Sequence, residues 1–178
     1  MNAIKPLPII KEALRLVDSK SDLVALDLGA GRGRNTVFLA KNGYFVDAVD
    51  KSQQFLESLK QYAESEDVAA RINVYLDDLS VFSSNRQYDL IIMTNVLHLL
   101  NSNTQSLIMK KIPMMLKKNG VLAISHILDQ SSPDEIQIKD AFSDLKMVEN
   151  ELKIVEDGPH PGTPYPHRHR MAYFIFKK

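Results

Sequence analysis

The sequence predicts a doubly wound α/β sheet covered by helices on both faces, a three-layer α/β/α sandwich closed by an antiparallel edge pair. Three observations predict it. Short β-branched or apolar runs alternate with longer amphipathic ones along the chain. The first apolar run, LVALDL, stops at a glycine-rich turn that opens a helix. The last two runs are joined by a proline-rich loop, so they pair antiparallel rather than through a crossover helix. The 178 residues, 44% apolar and 25% charged, fit one domain spanning 1–178. Residues 1–20 are expected to form an N-terminal helical extension.

Each element has its own signal. Leu23 to Leu28 is a buried strand, and Asn35 to Lys41 a helix that Asn42-Gly43 can end in the left-handed conformation. Tyr44 to Val49 is the second strand. Ser52 is a good N-cap, and Phe55, Leu56, Leu59 and Tyr62 recur at helical spacing up to about Glu66. Ile72, Val74 and Leu76 alternate as a third strand, and YDLIIM, Tyr88 to Met93, makes the fourth. Leu107 to Leu116 is helical, with Pro113 kinking it or marking its last turn. Lys118-Asn119-Gly120 then turns the chain into a strand from Val121 to Ile127. Ser132, Pro133 and Glu135 read as a capping box that opens a helix to about Val148. Strands near Leu152 to Glu156 and Arg170 to Phe176 flank the proline-rich loop.

Composition excludes several chemistries. The 22 basic residues balance the 22 acidic ones, so no global field draws the chain to nucleic acid or anionic lipid. With no cysteine there is no disulfide, thiolate nucleophile, iron–sulfur cluster or cysteine zinc site. No run approaches the roughly 20 apolar residues of a bilayer span, and the N-terminus lacks a leader pattern. A cytoplasmic protein with a small-molecule partner, without nucleic acid or membrane partners, is expected, as a monomer or homodimer.

In doubly wound sheets, ligands bind beyond the carboxyl ends of the strands. The turn Asp27-Leu28-Gly29-Ala30-Gly31-Arg32-Gly33-Arg34-Asn35 has G-x-G-x-G spacing rather than the G-x-G-x-x-G of dinucleotide sites. Asp27 repels a pyrophosphate but suits an ammonium group; a turn that only reverses the chain is the plainer reading. Asp50 ends the second strand 23 residues later, where an acid accepts from two sugar hydroxyls, or else assists Ser52 in capping. Asp77-Asp78 follow the third strand. Asp78 suits an exocyclic amine, with Leu79 supplying a backbone donor, unless the pair is a solvated turn.

These segments resemble the motifs of class I S-adenosylmethionine (SAM)-dependent methyltransferases: VALDLGAGRGRN, FVDAVDKS, VYLDDLS, YDLIIMTNVLHLL and MMLKKNGVLAIS. The resemblance implies a Rossmann-like seven-stranded sheet of order 3-2-1-4-5-7-6, with the last strand antiparallel. It places SAM, and its product S-adenosylhomocysteine, over the turn formed by Gly29, Ala30, Gly31, Gly33, Arg34 and Asn35. Asp50 would lie on the ribose, Asp78 and Leu79 at the adenine, and Asp27 and Thr94 near the methionyl amine, with Lys51, Asp77 and Asn95 also among the cofactor-binding residues. LDLGAGRGRNTVFLAKNGYFVDAVDKS more specifically resembles the tellurite-resistance, TehB-like methyltransferases. Nucleobase amino-methyltransferases usually carry Asn/Asp-Pro-Pro-aromatic after the fourth strand. Thr94-Asn95-Val96-Leu97 stands there instead, which argues for a small-molecule acceptor.

The expected acceptor loop is residues 158–170. Asp129 to Asp157 holds nine acids against three bases, whereas Gly158 to Lys178 holds four bases and no acid. Three of the five histidines, His160, His167 and His169, fall in this loop beside Arg168 and Arg170. If strand geometry begins at His167, the two later histidines share one face and the arginines the other. One reading is an anionic acceptor, for example a metalloid oxyanion such as tellurite, clamped by arginine and deprotonated by histidine. A second is a metal site, not assigned because no nearby carboxylate pattern supports it. The third is a solvated, proline-stiffened hairpin. The TehB-like group carries a functional His-Arg pair in this loop: His160 matches its distance from Glu156-Asp157, His167-Arg168 its dipeptide. His98 reads better as a packed residue, and His126 equally well as packed or ligand-facing. Two other functions compete: a non-catalytic SAM-binding or sensing module, and an NAD-dependent oxidoreductase, which the glycine spacing and Asp27 disfavour.

Overall fold

The computed structural model describes residues 5–18, 21–128, 132–158 and 164–178. In chain order the elements are α1 (Pro8–Leu16), β1 (Val24–Leu28), α2 (Arg34–Lys41), β2 (Phe45–Asp50), α3 (Gln53–Ser65), β3 (Ile72–Leu76), β4 (Tyr88–Thr94), α4 (Ser102–Met115), β5 (Leu116–Ile127), α5 (Glu135–Ala141), β6 (Lys146–Asp157) and β7 (His167–Lys177). The sheet order is β3-β2-β1-β4-β5-β7-β6. β7 runs antiparallel between β5 and β6, and the β1–β2, β1–β4, β2–β3 and β4–β5 pairs are parallel. This is the expected sheet order, including the antiparallel last strand.

Both faces are covered because the central strands are apolar on both sides; every residue of β1 and β4 is buried. Ile9, Ile10 and Ala13 of α1 and Leu39 and Ala40 of α2 pack on one face against Ala25, Val46, Leu90, Ile92 and Ile175. Leu56 and Leu59 of α3 extend that layer over Ala48. Ile108 and Ile112 of α4, with Ile138 of α5 and Phe142, pack on the opposite face against Leu26, Leu28, Ile91, Leu122 and Phe174. Such burial contributes roughly 1.5–3 kcal/mol for each large apolar side chain.

Several boundaries differ from expectation. α4 begins at Ser102, because Asn101 Oδ1 accepts from the Thr104 N–H and caps the helix a turn and a half earlier. Pro113 sits inside its last turn. β5 already begins at Leu116: 118–120 form an irregularity within the strand, with Asn119 at a φ of 64°, rather than a separate turn. The capping box belongs to Asp134 and Gln137, not to Ser132, because the Asp134 carboxylate accepts the Gln137 N–H while the Gln137 amide accepts the Asp134 N–H. α5 ends at Ala141, and β6 starts at Lys146, where pairing with Lys177 takes over from helix.

Candidate functional site

The turn after β1 is held by backbone. Gly29 and Ala30 N–H groups both donate to the Val49 carbonyl, at 2.8 and 3.0 Å, so the turn is anchored to the end of β2. Gly29 has a φ of 76°, and a Cβ there would lie 2.2 Å from Val96 Cγ2. Only glycine lets the segment after β4 pack this closely. Gly33 caps α2 in the left-handed region, and Leu59 fills the space its Cβ would need.

Around this turn the strand ends enclose a cleft of about 270 Å³. Gly29, Gly31, Asp50, Lys51, Asp77, Asp78, Leu79 and Asn95 contribute to its wall, so eight of the expected cofactor residues meet at one place. Phe55, Val96, Leu99 and Leu100 add the apolar part of that wall. The sequence offered no specific signal for these four beyond their nearness to strand ends. Asp50 Oδ2 accepts the Gly31 N–H at 2.8 Å and Oδ1 accepts the Ser52 N–H at 2.9 Å. The acid therefore shapes the turn and also presents its remaining lone pairs at the cleft. Asp78 Oδ1 accepts the Ser80 N–H, and the Ser80 bonds hold the Asp78 carboxyl below its usual range. Asn95 adopts a φ of 55°; its side chain accepts from Ser125 Oγ and its N–H reaches the Ser125 carbonyl.

The other expected residues are not part of the cleft wall. The Asn35 amide donates to Thr94 Oγ1 at 3.0 Å, and its oxygen accepts the Leu7 N–H, tying α2 to β4 and to the start of α1. Arg34 opens α2, and neither it nor Ala30 contributes to the cleft wall. Asp27 is 1% exposed; its Oδ2 accepts from Thr36 Oγ1 at 2.6 Å, while Oδ1 has no hydrogen-bond partner among the described residues. Burial pushes the Asp27 carboxyl up to about 7, with the nearby Asp50 charge adding to the effect. Beside the glycine turn, a buried carboxyl with one oxygen unmatched is completed either by a proton or by a cationic donor.

The loop candidates separate. His160 lies outside the described residues. β7 begins at His167, so His167 and His169 share a face, their Nε2 atoms 2.8 Å apart. Arg168 faces the other way, where Nε and a terminal nitrogen both donate to Glu156 Oε1, at 3.0 and 2.7 Å. Pairing of β6 with β7 sets Asp157 opposite His167, and Asp157 Oδ2 stands 3.6 Å from His169 Nε2. The carboxylate whose absence weighed against a metal is thus supplied across the strands. His126 is wholly buried and donates from Nε2 to the Pro133 carbonyl at 3.0 Å, tying β5 to the start of α5. His98 lies half-buried in a short turn, its ring centroid 6.1 Å from that of His126. A larger groove of about 730 Å³ between α4 and α5 includes none of the strand-end acids.

Comparison with known proteins agrees with this geometry. A profile of the family described as tellurite resistance protein TehB matches residues 7–158. The probable SAM-dependent methyltransferase TehB of Haemophilus influenzae is 31% identical over 128 residues, 72% of this chain and 43% of that protein. A ribosomal protein L11 methyltransferase of Campylobacter concisus is 34% identical over 134 residues, 74% of this chain and 43% of that one. The chain thus spans less than half the length of these curated relatives. The crystal structure of TehB from Haemophilus influenzae superposes with a TM-score of 0.82 at 23% identity, over 95% of this chain and 61% of that one. The N-methyltransferase NodS of Bradyrhizobium japonicum, in complex with S-adenosylhomocysteine, shares the fold with a TM-score of 0.72 at 18% identity, over 96% and 88% of the two chains.

Proposed function

This chain belongs to the tellurite resistance protein TehB family, and from that premise we propose that it is a SAM-dependent methyltransferase acting on a small anionic acceptor such as a metalloid oxyanion. Asp27 carries the reading: a buried carboxyl held near 7, with one oxygen unmatched, is costly unless a cation completes it. The methionyl ammonium of SAM is such a cation. Asp50 would accept from the ribose hydroxyls, and Asp78 with Leu79 would lie at the adenine. Phe55, Val96 and Leu99 offer apolar surface to the rings. When bound, SAM supplies a methyl group already activated by the sulfonium charge.

The chain's own contribution is to hold the reactants in line and exclude water, which can lower such a barrier by roughly 7–11 kcal/mol. The acceptor side is assigned to the start of β7, where the net charge of the chain turns positive. Arg168 and Glu156 are both about 70% exposed, at 71% and 72%. Such a pair is worth only about 0–1 kcal/mol, so an anionic acceptor can exchange for Glu156 at little cost. His167 or His169 would take the proton of an acceptor that arrives protonated. No helix among the described residues is long and apolar enough to cross a membrane.

The test is a screen of methyl-labelled SAM against metalloid oxyanions, thiols, phenols and carboxylates. Turnover is expected with at least one class. His160→Ala, His167→Ala and Arg168→Ala should lower turnover while leaving S-adenosylhomocysteine affinity nearly intact. Tight binding with no turnover would identify a sensing module instead, and thermal stabilisation by NAD alone would favour the oxidoreductase.

A further inference from the structure

Two imidazoles and one carboxylate meet at the open end of the β6–β7 pair. One ring nitrogen of His167, one of His169 and a carboxylate oxygen of Asp157 all lie within 4.8 Å of one another. The cluster is built by register: Asp157 ends β6 opposite His167, and strand alternation brings His169 to the same face two residues on. It stands beyond the carboxyl end of β5, because Met171 already pairs with Ile127 and His169 lies two residues further out.

We propose that Asp157, His167 and His169 bind a divalent first-row transition metal ion, such as zinc, with positions left open for a further ligand. Hydrogen bonding prepares the site. A carbonyl only accepts, so the His167 Nδ1 contact with the Tyr165 carbonyl at 3.0 Å places the ring proton on Nδ1. The lone pair of a neutral His167 is then on Nε2, as in metal-binding histidines whose second nitrogen donates to a carbonyl. His167 Nε2 and His169 Nε2 face each other at 2.8 Å, and a single proton can occupy the space between them. A metal ion takes that proton's place once His169 carries its own proton on Nδ1.

The spacing suits this exchange. Nitrogens about 2.1 Å from a zinc ion are roughly 3.0 Å apart at right angles and roughly 3.4 Å apart in a tetrahedron. The observed separations, 2.8 Å for the two histidines and 3.6 Å from His169 to Asp157, bracket those values. Two histidines and one carboxylate leave coordination positions free, which is the arrangement of sites that bind an exogenous ligand rather than of closed structural sites. Asp157 is 55% exposed, so a ligand reaches the site without unfolding the strand pair. Metal binding needs neither SAM nor acceptor, and it excludes the base role given to His167 or His169, because a nitrogen that ligates a metal ion has no lone pair left for a proton.

Titration of the full chain with Zn²⁺ by calorimetry, and with Co²⁺ by visible absorption, tests it. One equivalent should bind saturably, with cobalt bands reporting nitrogen and oxygen ligands. His169→Ala and the conservative Asp157→Asn should each weaken binding by at least about tenfold. Glu156→Gln removes the neighbouring carboxylate on the opposite face and should leave affinity unchanged. Circular dichroism confirms that each variant is folded. Absence of saturable zinc binding to the unmodified chain, or affinity unchanged in folded His169→Ala and Asp157→Asn, overturns the proposal.

Discussion

Replacing Asp27 by Asn should stabilise the free protein and weaken its hold on SAM, two effects of opposite sign from one buried oxygen. The Asp27 carboxyl is raised from 3.8 to about 7 by burial. The folded chain therefore binds more protons than the unfolded chain between those values, and stability falls as pH rises through that window. Fully developed above pH 7, the penalty amounts to roughly 4 kcal/mol. Asn removes the charge and keeps an acceptor for Thr36, but it places an N–H₂ group in a buried position, which costs roughly 1–3 kcal/mol if unmatched. The net gain at pH 8 is then roughly 1–3 kcal/mol, about 2–10 °C in Tm for a chain of this size. At pH 4, where the native carboxyl is protonated, the gain should disappear and leave Asn less stable, by up to the roughly 1–3 kcal/mol cost of its unmatched N–H₂. Thermal unfolding of both proteins from pH 4 to 8 measures the difference, with other titrating groups cancelling. Calorimetry with S-adenosylhomocysteine at pH 8 should show affinity reduced by roughly 10- to 100-fold, the loss of one charge-assisted hydrogen bond. A stability difference that does not change with pH, or a variant that binds as tightly as the parent, would refute the role given to Asp27.

The cleft supports two further predictions. Asp50→Asn keeps one of the two acceptor oxygens that hold Gly31 and Ser52, and should raise the Kd for S-adenosylhomocysteine by about an order of magnitude, measured by calorimetry; unchanged affinity removes the ribose role. Gly29→Ala should cost more than about 2 kcal/mol, because its Cβ meets Val96 Cγ2 at 2.2 Å and alanine is strained at a φ of 76°. Adding Val96→Ala should recover the steric part but not the backbone strain, giving a coupling above about 0.5 kcal/mol in denaturant unfolding. Additive losses would mean the two residues do not touch.

The cleft at the strand ends was largely readable from the chain because its signals are local. Gly29, Gly31 and Gly33 follow a buried strand directly, and Asp50 and Asp78 stand at strand ends, so strand period and turn chemistry suffice to bring them to one edge of the sheet. The same local logic misassigned the start of α5, where Ser132 and Pro133 look like a cap. Asp134 closes the capping box instead, while Pro133 just before it is buried and accepts from His126. Nor does spacing show that Asn35 bonds Thr94, 59 residues away, or that Asp27 leaves one oxygen unmatched.

Composition and period alone determined that this chain folds as a doubly wound sheet with an acid at each of three strand ends, since alternation and glycine placement are properties of neighbouring residues. Whether those acids face a ligand, a backbone N–H or each other was decided only by packing. Asp157 shows why: ten residues separate it from His167 in sequence, and only antiparallel register places the two side by side. Register depends on the burial of whole strands, a long-range balance that no short window of sequence contains.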